Sequence, residues 1–176
     1  MAIIRFETTP FSIGSWTIIR LPESASAQLP SRGPALVEGT INGFHSIIVL
    51  EPDGKGSHWF RVDPGMREAA GIGEAGIVTV AVEPSKEWPE PDLPADLKEA
   101  LASDPLANAL WINITPMARW DWLRWIRATS NQETRSRRIK VALLKLRAGE
   151  RRPCCFNRNL CTEPEVSKNG VLIEPT

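Results

Sequence analysis

A proline-rich segment separates two parts of this chain that differ in hydrophobic periodicity. Residues 84–94, PSKEWPEPDLP, contain four prolines, and such a segment is stiff and extended. Before it, apolar and polar residues alternate as they do in strands. After it, apolar residues recur at three- and four-residue intervals, as they do in helices. The pattern predicts a β-barrel domain over 1–84, a linker over 85–94, a helical domain over 95–152 and an irregular tail over 153–176.

The first part contains short runs that are rich in β-branched residues and end at turn signals. These runs lie at residues 3–8, 15–22, 35–42, 44–51, 57–62 and 76–84. Asn42-Gly43 predicts a two-residue hairpin turn, and Gly71 ends a short helix predicted over 66–72. About six short strands at this spacing are typical of a small barrel or sandwich, so the chain is predicted to be α+β.

Capping residues mark where the helices of the second part begin. Asp104 and Thr115 each precede a proline, a combination typical of helix N-termini. Ser130 and Glu133 have the spacing of a capping box, and Gly149 ends the helix that follows them. The sequence therefore predicts helices over 95–103 and 104–110, followed by two amphipathic helices within 115–152.

Charge is distributed unevenly along the chain. Residues 115–152 contain eleven Lys and Arg against three Asp and Glu, a net charge of +8, whereas the whole chain has 21 of each. Residues 1–114 contain eight basic and fifteen acidic side chains, a net charge of −7. Such polarity indicates either an acidic barrel that docks on basic helices or an anionic partner.

Arg135 is the basic residue that the helical pattern singles out. At about 100° per residue, it projects onto the apolar face of the last helix. That face consists of Ile139, Ala142, Leu143 and Leu146. A guanidinium there needs a partner, which we expect to be Glu133, Asp121 or a carboxylate of the barrel. The alternative is that Arg135 binds an anion near the N-terminus of its helix.

Trp125 points away from the stripe formed by Trp120, Leu123 and Ile126 in the preceding helix. This position indicates either that the helix packs on two sides or that Trp125 belongs to an exposed patch for a partner. Arginines alternate with these tryptophans, at positions 119, 124 and 127. The alternation favours cation–π contacts, and it also occurs in proteins that bind single-stranded nucleic acid.

Motifs for catalysis and for metal binding are weak in this sequence. It contains no P-loop, GxSxG or HExxH motif, and its two histidines, His45 and His58, lie on predicted strands. A catalytic histidine would need a cleft and a nearby carboxylate, such as Asp63 or Glu51. We therefore expect no catalytic site and no cofactor.

The cysteines also indicate where the protein resides. Cys154, Cys155 and Cys161 lack the paired CxxC spacing of a zinc site, so no metal is predicted. Their odd number and close spacing do not suit a disulfide framework. No leader is visible, and no apolar run approaches the length of a membrane span. These features predict a reduced, cytoplasmic protein without a transmembrane helix.

Two stretches of the chain resemble known bacterial families. The barrel part, with GTING at 39–43 and MREAAGI at 66–72, resembles the domain of unknown function 1905. The helical part, with W-I-x6-ETRxRRI at 125–139, looks like the bacteriocin-protection, YdeI or OmpD-associated domain. The resemblance implies a double-split β-barrel followed by a compact all-helical domain, and it implies no particular reaction.

The leading functional hypothesis is a non-enzymatic binding or stress-protection module of the bacterial cytoplasm. Its partner would be a protein or a small anionic ligand held between barrel and helices. The ligand-binding residues we predict are Asn42, Gly43, Trp125, Arg135 and Arg138. A nucleic-acid-binding regulator is the first alternative, which the neutral chain and acidic barrel disfavour. An enzyme with a histidine at the barrel mouth is the second.

Overall fold

The protein folds as two compact units. The structure is a computed structural model that describes residues 3–73, 76–153 and 163–175. One unit, the β unit, comprises Met1–Glu87 together with Val166–Thr176, and the other, the helical unit, comprises Trp88–Glu165. The α+β class is confirmed, with an antiparallel sheet first and a helical region after it.

The β unit is built on a seven-stranded antiparallel sheet. Its strands are β1 (Ile4–Thr8), β2 (Phe11–Ile13), β3 (Trp16–Arg20), β4 (Ala35–Ile41), β5 (Phe44–Pro52), β6 (His58–Val62) and β7 (Val78–Pro84). They are ordered β1-β7-β4-β5-β6-β3-β2. Most of β5 pairs with β4, whereas its last two residues, Glu51 and Pro52, pair with β6. The sheet thereby curls into a half-barrel, the form that the predicted small barrel takes here.

Alternation along the strands places branched aliphatic residues inside the curled sheet. Val37, Ile41 and Ile48 are buried there, together with Val80 and Val82 from β7. The space that these side chains enclose has no room for a water molecule. The interior of the half-barrel is therefore a filled core and not a ligand cavity.

Two short helices of the β unit complete this arrangement. They are α1 (Glu23–Ser26) and α2 (Pro64–Ala69). Asp63 caps α2 by accepting a hydrogen bond from the N–H of Met66 at 2.8 Å, and Gly71 follows at φ +64°. The short helix predicted here is confirmed, with bounds two to three residues earlier. Neither β2 nor α1 was predicted, because three or four residues are too few to show a period.

The sequence predicts an irregular tail over 153–176, but the structure shows regular elements in part of it. It contains a hairpin of β8 (Ser167–Lys168) and β9 (Val171–Leu172). Leu172 is only 2% exposed and joins Val166, Ile18 and Trp59 in a buried cluster of the β unit. The N–H of Leu172 also donates to the carbonyl of Asp53 at 2.9 Å. Strands of two residues have no detectable alternation, so only their packing shows them.

Within residues 88–153 and 163–165, the helical unit contains four helices. They are α3 (Ala95–Ala102), α4 (Pro105–Asn113), α5 (Pro116–Arg127) and α6 (Gln132–Arg147). The predicted caps Asp104 and Thr115 are confirmed, since each side chain accepts a hydrogen bond at 3.2 Å from the N–H three residues later. None of the helices in the described part of the chain has the length and apolar character that crossing a membrane requires.

The start of α6 differs from the prediction. The side chain of Asn131 accepts a hydrogen bond from the N–H of Thr134 at 2.9 Å, so Asn131 is the N-cap and the predicted Ser130–Glu133 capping box is wrong by one residue. Asparagine and serine are about equally good N-caps. The backbone has the extended conformation of an N-cap at Asn131, so Asn131 is the cap. Gly149, at φ +89°, follows the end of α6 as predicted.

The core of the helical unit confirms the apolar face of α6 but revises that of α5. Ile139, Ala142 and Leu146 are buried, with Leu143 packed against them. In α5, Trp122 is fully buried, and its indole N–H donates to the carbonyl of Arg151 at 2.9 Å. Arg124 lies on the opposite side of α5 from Trp122 and is buried as well, so both sides of the helix are covered.

Candidate functional site

Most of the basic side chains in residues 115–152 are paired within the helical unit. Seven of the eleven form ion pairs with carboxylates of that unit. The pairs are Arg119–Glu90, Arg124–Asp121, Arg127–Glu163, Arg135–Asp96, Lys145–Glu150, Arg147–Asp104 and Arg152–Asp121. Four of the six carboxylates lie outside the segment in sequence. The folded surface of the helical unit is therefore less positive than the charge of +8 on residues 115–152 suggests.

Arg119 forms hydrogen bonds with carbonyl groups at the C-terminal end of α4. Its guanidinium donates to the carbonyls of Trp111, Ile112 and Ile114 at 2.7–2.9 Å, and it pairs with Glu90. The last carbonyls of a helix lack intrahelical donors, so this buried arginine satisfies them. Its role is to hold α4 and α5 together.

Arg124 is the most deeply buried cation among the described residues of the helical unit. It is 1% exposed and lies 3.6 Å from Asp121, which is fully buried and also pairs with Arg152 at 3.7 Å. Its guanidinium carbon lies 5.5 Å and 5.7 Å from the rings of Trp88 and Trp120. The cation–π contacts that the sequence favours are thus present, and they stabilise the interior of the unit.

Arg135 faces inward and has a carboxylate partner, as predicted, but the partner is not one of those expected. Its Nε donates to one oxygen of Asp96 at 2.7 Å, and its Nη2 donates to the other at 3.1 Å. The Arg135 side chain is 20% exposed. The bond to Arg135 lowers the pKa of Asp96, and the same bond raises the pKa of Arg135. Asp96 lies in the first turn of α3, which packing brings to α6.

Trp125 and Arg138 lie together and contact each other. The guanidinium of Arg138 donates to the carbonyl of Trp125 and lies 5.5 Å from its ring centre. Trp125 is half-buried, packs against the helical core and meets Trp122 edge-on at 6.0 Å. These contacts favour the interpretation that α5 packs on two sides, because they account for Trp125 within the helical unit itself.

Asn42 and Gly43 form the predicted hairpin turn between β4 and β5. Their φ angles are +51° and +81°, the left-handed values that a type I′ turn requires. The Asn42 side-chain amide donates to the carbonyl of Ala70 at 3.0 Å and accepts from the N–H of Thr79 at 2.9 Å. The Asn42 side chain therefore ties the turn to β7 and to the end of α2, which accounts for its position without a ligand.

The histidines occupy two unlike positions in the β unit. His45 is exposed on the sheet and pairs with Glu38 at 2.8 Å. His58 is fully buried, and its Nε2 donates to the carbonyl of Gly33 at 2.8 Å while its Nδ1 accepts from the hydroxyl of Ser26 at 2.6 Å. Burial lowers the pKa of His58. One histidine lies in open solvent and the other is sealed in the core, so neither has the cleft that the enzyme hypothesis requires.

A depression on the helical unit brings two arginines together over apolar side chains. Its volume is about 350 Å³, and its lining consists of Asp92, Pro94, Trp120, Leu123, Ile126, Arg127, Arg135 and Glu163. The buried Leu123 and Ile126 provide an apolar floor. Arg127 Nε lies 3.1 Å from Glu163 Oε1. Of the predicted ligand-binding residues, only Arg135 lines this depression.

A second depression, of about 480 Å³, lies along α6. It is lined by Gln132, Glu133, Ser136, Arg137 and Lys140. All of these residues come from one helix, and none of them is a large apolar residue. We therefore take the depression beside Arg135 as the candidate site. The sequence did not predict Arg127 and Glu163 as residues of this site. Glu163 lies in the tail, and no periodic pattern indicates that the tail meets the helices.

Within residues 3–73, 76–153 and 163–175, the structure contains no group of three potential metal ligands from His, Cys, Asp and Glu. Cys154, Cys155 and Cys161 lie outside the described residues, so their chemistry stays a prediction.

The chain matches two protein-family profiles in succession. Residues 2–82 match the domain of unknown function DUF1905, and residues 90–149 match the family described as bacteriocin-protection, YdeI or OmpD-associated (OmdA). No curated protein matches the chain. The two matched segments follow the order that the resemblance implies. The chain thus contains a match to DUF1905 followed by a match to the OmdA family.

Proposed function

We propose that this protein is a non-enzymatic binding module, associated with bacteriocin protection, whose helical unit holds a small anion in the depression beside Arg135. The observation that carries this proposal is the pair of guanidinium groups, Arg127 and Arg135, above the apolar floor of Leu123 and Ile126. The sequence suggests a ligand between barrel and helices, whereas the proposed site lies within the helical unit alone. A cytoplasmic location is part of the proposal and is testable by cell fractionation.

Guanidinium groups favour an anion here for two reasons. Their planar donors match carboxylate and phosphate oxygens, and they remain charged at every physiological pH. Arg135 is also held in place by both oxygens of Asp96, so binding would cost little side-chain entropy. An apolar floor excludes water, which strengthens the interaction between opposite charges. The arrangement thus suits an anion that carries an apolar part.

The proposal predicts that Arg135 is required for stabilisation by an anion. We would measure the melting temperature of the full chain against phosphate, citrate and short-chain carboxylates. At tenfold excess over Kd, binding should raise the melting temperature by about 3–6 °C. Arg135→Gln should abolish this ligand-induced rise, whatever its own effect on stability.

Arg137→Gln is the matched control. It removes one positive charge from the same helix, but Arg137 is exposed and does not line the depression. It should therefore keep the full ligand-induced rise. A rise of equal size in Arg135→Gln would contradict the proposed site, and no rise with any anion in the wild type would contradict anion binding.

The two alternatives find less support in the structure. Nucleic-acid binding relies on a basic helical surface, but described carboxylates of the helical unit pair with seven of the eleven basic side chains in residues 115–152. Binding that fell steeply with salt would nevertheless revive this alternative. Catalysis by histidine lacks a cleft at His45 and at His58.

A further inference from the structure

We infer that Glu163 occupies the anion site from within the chain, and that the site selects a monocarboxylate with a short aliphatic tail. This inference rests on the proposed function and names its ligand class. It assigns Glu163 the role of an internal competitor that a free carboxylate must displace.

The carboxylate of Glu163 already lies where the proposed ligand would bind. Its Oε1 is 3.1 Å from Arg127 Nε, and both side chains are 22% exposed. Its charge also reaches Arg135: Asp96 is the main cause of the raised pKa of Arg135, and Glu163 adds to it. One carboxylate therefore acts on both guanidinium groups of the depression. A free carboxylate can make the same charge-assisted contact with Arg127 once Glu163 is displaced.

The remaining lining determines which carboxylate fits. Leu123, Ile126 and Pro94 offer an apolar surface beside the two cations, which suits an aliphatic tail. Asp92 is exposed at the same depression, and Asp96 remains bound to Arg135. These two negative charges oppose a dianion such as phosphate more strongly than a monoanion. A volume of about 350 Å³ accommodates a carboxylate of about six carbons.

An internal competitor weakens every external carboxylate that needs the same contact. The chain holds Glu163 near Arg127 at an effective concentration on the order of millimolar, so a free ligand must exceed that concentration or bind more tightly. Removing the charge of Glu163 should therefore increase the affinity for a carboxylate, although it removes an ion pair. A residue with a purely structural role would have the opposite effect or none.

The test is isothermal titration of the full chain with sodium hexanoate, acetate and phosphate. Glu163→Gln should bind hexanoate about tenfold more tightly than the wild type, which corresponds to about 1.4 kcal/mol. Hexanoate should bind at least tenfold more tightly than acetate, because its extra methylenes contact the apolar floor. Glu150→Gln also removes one negative charge from the helical unit, but Glu150 does not line the depression, so this control should bind like the wild type.

The possible outcomes separate this inference from the proposed function. Equal hexanoate affinity in Glu163→Gln and the wild type, with binding still dependent on Arg135, would overturn the role of Glu163 alone. Tighter binding of phosphate than of hexanoate would overturn the ligand class alone. The absence of binding for every anion and variant would overturn the proposed function as well. Should Glu163→Gln fold poorly, Glu163→Asp, which shortens the side chain by one methylene, should increase the affinity in the same direction.

Discussion

Polar side chains are buried in both units. Their hydrogen-bond and ion-pair partners account for their buried positions. His58 illustrates this at the scale of a single residue. Gly33 offers its ring only a carbonyl, so Nε2 must carry a proton, and in the neutral ring Nδ1 then accepts from Ser26. The neutral ring satisfies both partners, whereas a protonated ring would place a charge in the core. The position therefore depends on His58 staying neutral.

His58 should make the stability of the β unit depend on pH. Its pKa is lowered from the ordinary value of 6.5, so the unfolded chain takes up a proton at a pH where the folded chain does not. The contribution of His58 to the free energy of unfolding should therefore be complete above about pH 6.5. Below that pH, the free energy of unfolding should fall by up to about 1.4 kcal/mol per pH unit. Asp96, whose pKa is lowered from 3.8, contributes a loss only below that value.

Urea denaturation between pH 7 and pH 5 measures this dependence. His58→Gln should flatten it, and His45→Gln, which changes an exposed residue, should leave it as in the wild type. A wild-type curve that is level across this range would show that His58 is not held neutral by the fold.

Helix boundaries belong to the scale of the element, and local hydrogen bonds decide them. Asp104, Thr115 and Asn131 each accept a bond from the N–H three residues later. Such caps are visible in the sequence, but two adjacent candidates compete at α6. The backbone places Asn131 at the cap, with φ −78° and ψ 118°.

Two single substitutions distinguish these candidates. Asn131→Ala should lower the free energy of unfolding by about 1 kcal/mol, because it leaves an N–H of the first turn without its acceptor. Ser130→Ala should change it by less than about 0.5 kcal/mol, since Ser130 is exposed and outside the cap. Chemical denaturation of both variants decides the matter, and the reverse ranking would restore the Ser130 capping box.

At the scale of the whole molecule, the chain returns to the unit in which it began. The β unit contains both ends of the described chain, and the helical unit lies between them in sequence. The hairpin of β8 and β9 is fitted closely to the loop between β5 and β6. A Cβ added to Gly54 would lie 2.5 Å from the carbonyl oxygen of Gly170, which only glycine tolerates.

The returning hairpin should therefore contribute to the stability of the β unit. Leu172→Ala should cost about 2–4 kcal/mol, because Leu172 is buried with Val166 and Trp59. Ile173→Ala, at the next residue with a side chain 39% exposed, should cost less than about 1 kcal/mol. Urea denaturation followed by circular dichroism compares the two, and equal small losses would show that the hairpin adds nothing to the core.

Local patterns in the sequence determined the class and most elements of this protein. Some features depend only on residues close together in the chain, so the sequence alone predicts them. They are the strand alternation, the Asn42-Gly43 turn and the helix caps Asp104 and Thr115. The inward face of Arg135 also follows from helical geometry alone. These features were predictable because their physics extends over a few residues.

Only the tertiary structure decided the pairings over long distances. Asp96 lies 39 residues from Arg135, and Glu163 reaches Arg127 from beyond α6 in sequence. Several carboxylates were equally good partners for Arg135 by charge, and the packing of α3 against α6 selected one of them. The candidate site depends on the same selection, because its two arginines and its apolar floor become neighbours only when the helices pack.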